Sequence, residues 1–167
     1  MESIVEVDTL VDSRHVIRPS SKQFVAIGQS VQVRSDDIVT GVVRLRIGHE
    51  WMLNADLCNE LEPMWYLLVH ACATALDGGV FEDNLPDNTR VLFSVAPGRH
   101  PGVSVVSVKS PDQMQRSAPV THGALAAGVA PAARQFVDWG LSNALIRRGS
   151  RTHRDFIECI GRMEQVF

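Results

Sequence analysis

The sequence predicts an α+β fold, with an antiparallel sheet that has helices packed on one face, in a single domain over residues 1–167. Three observations lead to this prediction. The first fifty residues contain short β-branched and aromatic runs, the middle carries a long helical pattern, and a valine-rich hairpin precedes a helical C-terminal third. A length of 167 residues with 45% hydrophobic side chains is typical of one domain with one core.

Four strands are predicted in the first fifty residues. The clearest is Val42–Ile47, in which Val43, Leu45 and Ile47 alternate with two arginines. This alternation places the apolar side chains on one face and the guanidinium groups on a solvated face. The other three runs lie between turn-forming residues and cover Ile4–Val7, Phe24–Ile27 and Val31–Val33.

A central helix is predicted at about residues 63–77, where apolar side chains recur at spacings of three and four. Because apolar residues also occur on its other faces, we expect this helix to be the most buried one. A short turn over residues 54–61 is expected to precede it. Its expected boundary residues are Asn54 or Asp56 as the cap and the Gly78-Gly79 pair as the stop.

A hairpin and two helices are predicted after the central helix. The hairpin strands are Arg90–Val95 and Val103–Val108, joined by a loop rich in proline and glycine. We expect Pro131 to open a helix that runs to about Arg148, and a last helix to cover residues 151–166. The side chains that this last helix is expected to bury are Phe156, Ile157, Ile160 and Met163.

Cysteine usage and hydropathy predict a cytoplasmic protein. Cys58, Cys72 and Cys159 are odd in number and lie within predicted helices, which favours reduced thiols in a reducing compartment. The chain does not begin with a basic leader and an apolar run, and no apolar stretch approaches the ~20 residues that span a bilayer. We therefore expect no membrane partner.

Charge is distributed unevenly along the chain, although the net formal charge is only −3. Residues 1–46 contain six acids and six bases, and residues 90–167 contain five acids and ten bases. Residues 47–89 contain no lysine or arginine and eight carboxylates, here called the acidic block: Glu50, Asp56, Glu60, Glu62, Asp77, Glu82, Asp83 and Asp87. If the fold gathers these side chains, they attract a basic partner.

The alternative without a binding role is that the acidic block is solvated, or neutralised within the fold. Carboxylates are rarely buried without partners, so most of the eight should lie on the surface. The basic C-terminal third offers four arginines that could fold back onto the block: Arg147, Arg148, Arg151 and Arg154.

No complete catalytic, metal or nucleotide motif occurs in the sequence, and no cofactor is expected. None of the six histidines is paired with another at ligand spacing. Glu62, Tyr66 and His70 are spaced by four, which aligns a carboxylate, a phenol and an imidazole on one side of the central helix. Such a stripe can perform acid and base chemistry if it lines a cleft, but more often it is the polar side of a buried helix. The C-terminal arginines lack interleaved aromatic residues, which disfavours nucleic-acid binding.

The leading functional hypothesis is therefore a non-catalytic domain that uses the acidic block to bind a basic protein partner. An immunity protein that neutralises a basic toxin domain fits this size and charge. The alternatives are a small-molecule enzyme with the Glu62, Tyr66 and His70 stripe at its site, and a homo-oligomeric subunit in which the acidic block of one copy meets the arginines of another.

Overall fold

The computed structural model describes residues 3–18, 21–28, 30–34, 38–112 and 115–166, and it confirms the α+β class. Strands dominate the first half, and the C-terminal third ends in two helices. The strands are β1 (Val5–Asp12), β2 (Phe24–Ala26), β3 (Thr40–Ile47), β4 (Glu50–Leu53), β5 (Asn59–Glu60), β6 (Phe81–Asn84), β7 (Leu92–Pro97), β8 (Val103–Lys109) and β9 (Gln115–Thr121). The helices are α1 (Leu61–Leu76), α2 (His122–Ser142) and α3 (Arg151–Glu164), and a 3-10 turn covers Ser13–His15.

The strands form two antiparallel sheets. The first has the order β2-β1-β3-β4, with β5 added to β3, and the second is the meander β6-β7-β8-β9. Strand β3 has the predicted alternation, because Val43, Leu45 and Ile47 are buried while its two arginines are only half-buried on the opposite face. The predicted hairpin is also confirmed, since β7 and β8 pair from Leu92 opposite Lys109 to Pro97 opposite Ser104.

Helix α1 is the predicted central buried helix, and it contacts both sheets and both other helices. Trp65 is fully buried, its ring stacks on Phe136 of α2 at 5.7 Å, and its indole N–H donates to the Thr9 hydroxyl at 2.9 Å. The predicted cap was wrong, because Glu60 occupies the N-cap position in place of Asn54 or Asp56. The expected turn is present at its start, where the Leu57 N–H donates to the Asn54 carbonyl at 3.0 Å, and the two-residue strand β5 follows it and leads directly into the helix.

Helix α2 corrects the prediction that Pro131 opens a helix. The helix begins at His122, where the Thr121 hydroxyl accepts from the Ala124 N–H at 3.2 Å, and Pro131 lies in its interior on an exposed face. It ends at Ser142 instead of Arg148. The small residues before Pro131 allow close packing, because a Cβ on Gly128 would lie 2.6 Å from the Val5 carbonyl oxygen. The predicted start of α2 was wrong because local helix propensity contains no information about this contact with β1.

Two smaller predictions were also wrong. Ile157 of α3 is 38% exposed, although Phe156, Ile160 and Met163 are buried as expected. Val31–Val33 is not a strand: within the described residues, only a single bridge joins Val33 to Val16. A side chain of α2 binds the backbone of this segment, because the indole N–H of Trp139 donates to the Val31 carbonyl at 2.8 Å.

The three cysteines are free thiols, in agreement with the expected reduced state. Burial raises the pKa of all three thiols, Cys58, Cys72 and Cys159, above its ordinary value. None of the described helices has the length and apolar character needed to cross a bilayer.

Candidate binding groove

A concave groove lies between helix α1 and strand β6. Its cavity volume is about 600 Å³, which is within the range of ligand-binding pockets. Apolar and polar side chains from α1, from β6 and the turn after it, and from the first turn of α3 line its walls. They are Glu62, Pro63, Tyr66, Leu67, His70, Thr74, Phe81, Asp83, Asn84, Pro86 and Thr152.

Helical and strand periodicity place these side chains in the groove. Glu62, Tyr66, His70 and Thr74 follow one another at spacings of four, so they lie in a row along one side of α1. Across the groove, Phe81 and Asp83 are two residues apart on β6 and therefore share a face of the second sheet. The groove thus joins a row on a helix to the edge of a sheet.

Glu62 lies in an unfavourable electrostatic environment. Burial of its carboxyl group, followed by repulsion from Glu60, raises the pKa of Glu62 above its ordinary value. On the opposite wall of the groove, the carboxylate of Asp83 accepts the N–H of the next residue, Asn84, at 2.8 Å, and no other hydrogen bond to it occurs in the described part of the chain. Among the described residues neither Glu62 nor Asp83 forms an ion pair, and no residue outside the described ranges is a lysine or arginine. The groove therefore contains carboxylates that the protein does not neutralise.

Tyr66 and His70 also line the groove, but both contact helix α3. The Tyr66 hydroxyl donates to Asp155 at 2.9 Å, and this bond, together with burial, raises the pKa of the phenol. The His70 ring lies 4.3 Å from the Tyr66 ring, and its Nδ1 is 3.9 Å from the sulfur of Cys159. The three side chains therefore line a concave groove, as the enzyme hypothesis required, and among the described residues neither the Glu62 carboxylate nor the buried Nε2 of His70 has a hydrogen-bond or ion-pair partner.

The acidic block is divided between paired and unpaired members. Asp77 forms an ion pair with Arg162, and Asp56 lies 3.8 Å from Arg116. These two arginines belong to the basic third, but they are not the four that the sequence suggested. Of those four, Arg151 pairs with Asp155 of its own helix at 3.9 Å.

The other members of the acidic block lie near the groove or on the open surface. Asp87 accepts the N–H of Glu60 at 2.6 Å, at the start of α1, and Pro86, which is adjacent to Asp87, lines the groove. Glu82 is exposed on β6, and Glu50 is exposed at the start of β4. The structure therefore places Glu62 and Asp83 in one groove, joins Glu60 to Asp87 at the start of α1, and leaves Glu50 on β4 of the first sheet.

A second cavity of about 790 Å³ lies along α2. Two side chains that line this cavity bind the backbone around Val31 and Val33. Trp139 donates to the Val31 carbonyl, and the Asn143 side chain accepts the Val33 N–H at 2.9 Å. Arg134 in its wall pairs with Glu164 at 2.8 Å. Because these groups are used within the fold, this cavity is a weaker candidate than the groove.

No cluster of histidine, cysteine and carboxylate side chains suited to a metal ion occurs among the described residues. The sequence did not predict that Asp83 would line the same groove as Glu62, because strand β6 is only four residues long and mostly polar. Phe81 is half-buried and the other three residues of β6 are exposed, so the segment lacks the alternation that predicts a strand.

The chain has no match among protein-family models, curated proteins or solved structures. Its function must therefore be inferred from the residues and geometry of the groove.

Proposed function

We propose that the chain is a non-catalytic binding domain whose groove holds a basic segment of a partner protein. One observation carries this proposal: Glu62 and Asp83 line the same partly apolar groove, and no cation of the described chain neutralises them. A carboxylate that is half-buried without a partner destabilises the unbound fold. Its presence is explained when a cation from outside completes the pair.

The walls of the groove suit a lysine or arginine side chain. The aliphatic stem of such a residue can pack on Pro63, Leu67 and Phe81, while its charged head reaches the carboxylates. Hydrogen bonds between charged groups are shorter and stronger than those between neutral ones, and a partly buried site screens them less than bulk water does. Apolar contact and charge thus favour the same ligand.

The remaining unpaired members of the acidic block act at longer range. Glu82 and Asp87 adjoin residues that line the groove, and Glu60 is close enough to Glu62 to raise its pKa, so the three add negative potential that speeds the approach of a basic partner. Neutralisation of a basic toxin domain by this cytoplasmic protein is the biological role that fits this chemistry, and it stays a prediction from charge and size.

Catalysis by the Glu62, Tyr66 and His70 stripe is less well supported. The Tyr66 phenol already donates its proton to Asp155, and this bond and burial raise its pKa, so the proton is held more firmly than in a free phenol. A general base must accept a proton from the substrate, and Tyr66 in this state does not. The homo-oligomeric alternative also stays a prediction. It needs arginines that a second copy can reach, and Arg147 and Arg148 are exposed.

A peptide titration tests the proposal. The probe is acetyl-Lys-Thr-Lys-Thr-Lys-amide at low ionic strength, compared with the same peptide carrying glutamate for lysine. We expect the lysine peptide to shift the backbone NMR signals of residues 62–74 and 81–84, and the glutamate peptide to leave them unchanged. Replacing both groove carboxylates, with Glu62→Gln and Asp83→Asn, should weaken binding by about tenfold or more, since each charge-assisted contact is worth ~1.5 kcal/mol.

The matched control carries Asp138→Asn and Glu158→Gln, which remove two exposed carboxylates that do not line the groove. It changes the net charge by the same amount, so only a specific site separates the two double variants. Equal weakening in both variants, or no binding of the lysine peptide, would contradict the proposed function.

A further inference from the structure

Strand β6 is an edge strand whose outer backbone groups face away from the sheet. It pairs with β7 alone in the second sheet, and its residues Glu82, Asp83 and Asn84 are exposed. The Leu85 N–H donates to the Val91 carbonyl at 2.9 Å, in register with the pairing of Asp83 opposite Phe93. Hydrogen-bonded pairs alternate along antiparallel strands. The backbone N–H and C=O groups of Phe81 and Asp83 therefore point towards β7, and those of Glu82 and Asn84 point away from it.

One of these outward groups has a local substitute for a strand partner. The Asn84 N–H donates to the side chain of Asp83 at 2.8 Å, and among the described residues no backbone hydrogen bond joins β6 to a strand other than β7. The carboxylate of Asp83 thus occupies the position where the carbonyl of a neighbouring strand would accept. If such a carbonyl replaced it, Asp83 would be released to bind a cation.

The groove lies where an added strand would run. Phe81, Asp83 and Asn84 line it from β6, and Glu62, Tyr66 and His70 line it from α1. A strand added to β6 would lie ~4.8 Å from it, and alternate side chains of that strand would point towards the row on α1. At ~3.4 Å per residue, four or five residues would match the length of β6.

Charge selects the occupant of this edge. A second copy of β6 would place Glu82 and Asp83 against the same carboxylates, and like charges directly opposite are destabilising. Charged edges commonly serve only to prevent such self-association. Here a partly apolar groove with a second carboxylate, Glu62, accompanies the edge, which protection alone does not require.

We infer that β6 captures its basic partner by strand addition, so that an extended segment with alternating lysine or arginine becomes the fifth strand of the second sheet. This inference rests on the proposed function and adds the binding mode: backbone hydrogen bonds to Glu82 and Asn84 provide the register, and the alternate basic side chains meet Glu62 and Asp83.

Backbone methylation of the probe tests this mode. Two versions of acetyl-Lys-Thr-Lys-Thr-Lys-amide carry N-methyl groups, one on the threonine amides and one on the lysine amides, and both keep every charge. In an added strand only one of these sets faces β6, so we expect one methylated peptide to bind at least about tenfold more weakly than the other. Hydrogen exchange of the Glu82 amide should slow when the unmethylated probe binds.

The outcomes separate the two proposals. If both methylated peptides bind as the parent does and the Glu82 amide exchanges at an unchanged rate, strand addition is overturned while the basic-segment site stands. If none of the peptides binds, both proposals fail. A tenfold difference together with a protected Glu82 amide supports strand addition.

Discussion

Two surfaces of this molecule carry carboxylates, but in the part of the chain that the structure describes, the carboxylates form ion pairs within the fold on only one of them. On the outer face of the first sheet, Arg44 pairs with Asp8 and Arg46 pairs with Glu6 across neighbouring strands. Both guanidinium groups also lie over the ring of Trp51, at 5.6 and 5.4 Å from its centroid. In the partly apolar groove, by contrast, carboxylates from α1 and β6 have no lysine or arginine partner among the described residues.

The two surfaces differ in whether their charged side chains form ion pairs within the fold. Cross-strand ion pairs on the first sheet are part of the fold, because β1 and β3 position the opposite charges in register. Glu62 represents the other situation, because burial and repulsion from Glu60 raise its pKa and no cation among the described residues pairs with it. A surface of the first kind stabilises the fold, and one of the second kind is suited to binding.

The larger expected effect comes from removing the acids of the first sheet. Glu6→Gln with Asp8→Asn leaves Arg44 and Arg46 without partners while their side chains remain about one-third exposed. We expect the free energy of unfolding to fall by about 1 kcal/mol in total, because partly exposed ion pairs are worth ~0.2–1 kcal/mol each. Urea denaturation measures this loss.

The same variant should bind the lysine peptide within twofold of the parent protein, since it leaves the groove intact. A large loss of peptide binding without a loss of stability would reverse the roles that we assign to the two surfaces.

The smaller expected effect has the opposite sign. Because the folded-state pKa of Glu62 lies above the ~4.3 of an unfolded chain, protonation of Glu62 favours the fold. This contribution is complete below pH ~4.3 and is lost as the pH rises through the folded pKa, so ionised Glu62 opposes folding at neutral pH. We expect Glu62→Gln to stabilise the protein at pH 7 by roughly 0.5 kcal/mol, a value reduced for solvent screening.

Thermal unfolding at pH 7 and at pH 3.5 checks this prediction, because the advantage of Glu62→Gln should vanish at the lower pH. A variant that is less stable than the parent at pH 7 would mean that Glu62 has a stabilising partner, and the groove would then resemble the first sheet.

The elements that the sequence predicted well are those with strong periodicity. Strand β3 and helix α1 have apolar side chains at spacings of two and of three to four, and both form where these spacings predict them, although burial in α1 extends beyond this stripe to residues such as Val69 and Ala73. Strands β4, β5, β6 and β9 were missed because they are short or contain polar residues and proline, and their pairing depends on distant partners.

The candidate site was predictable only in part. The spacing of Glu62, Tyr66 and His70 placed the row on α1 correctly, and composition identified a segment without cations. Which carboxylates would be neutralised depended on the packing of α3 and β9, which brings Arg162 to Asp77 and Arg116 to Asp56. Such long-range pairings have no local signal, so the presence of Asp83 and Glu62 in one groove was found only from the structure.

The ionisation of Glu62, followed by NMR in the free protein and in the presence of saturating lysine peptide, tests the central claim most directly. The free protein should show a pKa above the ordinary glutamate range, and bound peptide should lower it, because an ammonium group favours the carboxylate. Glu6, which is already paired with Arg46, serves as the internal control and should not change. An equal pKa of Glu62 in the two states would contradict the claim that its missing cation comes from a partner.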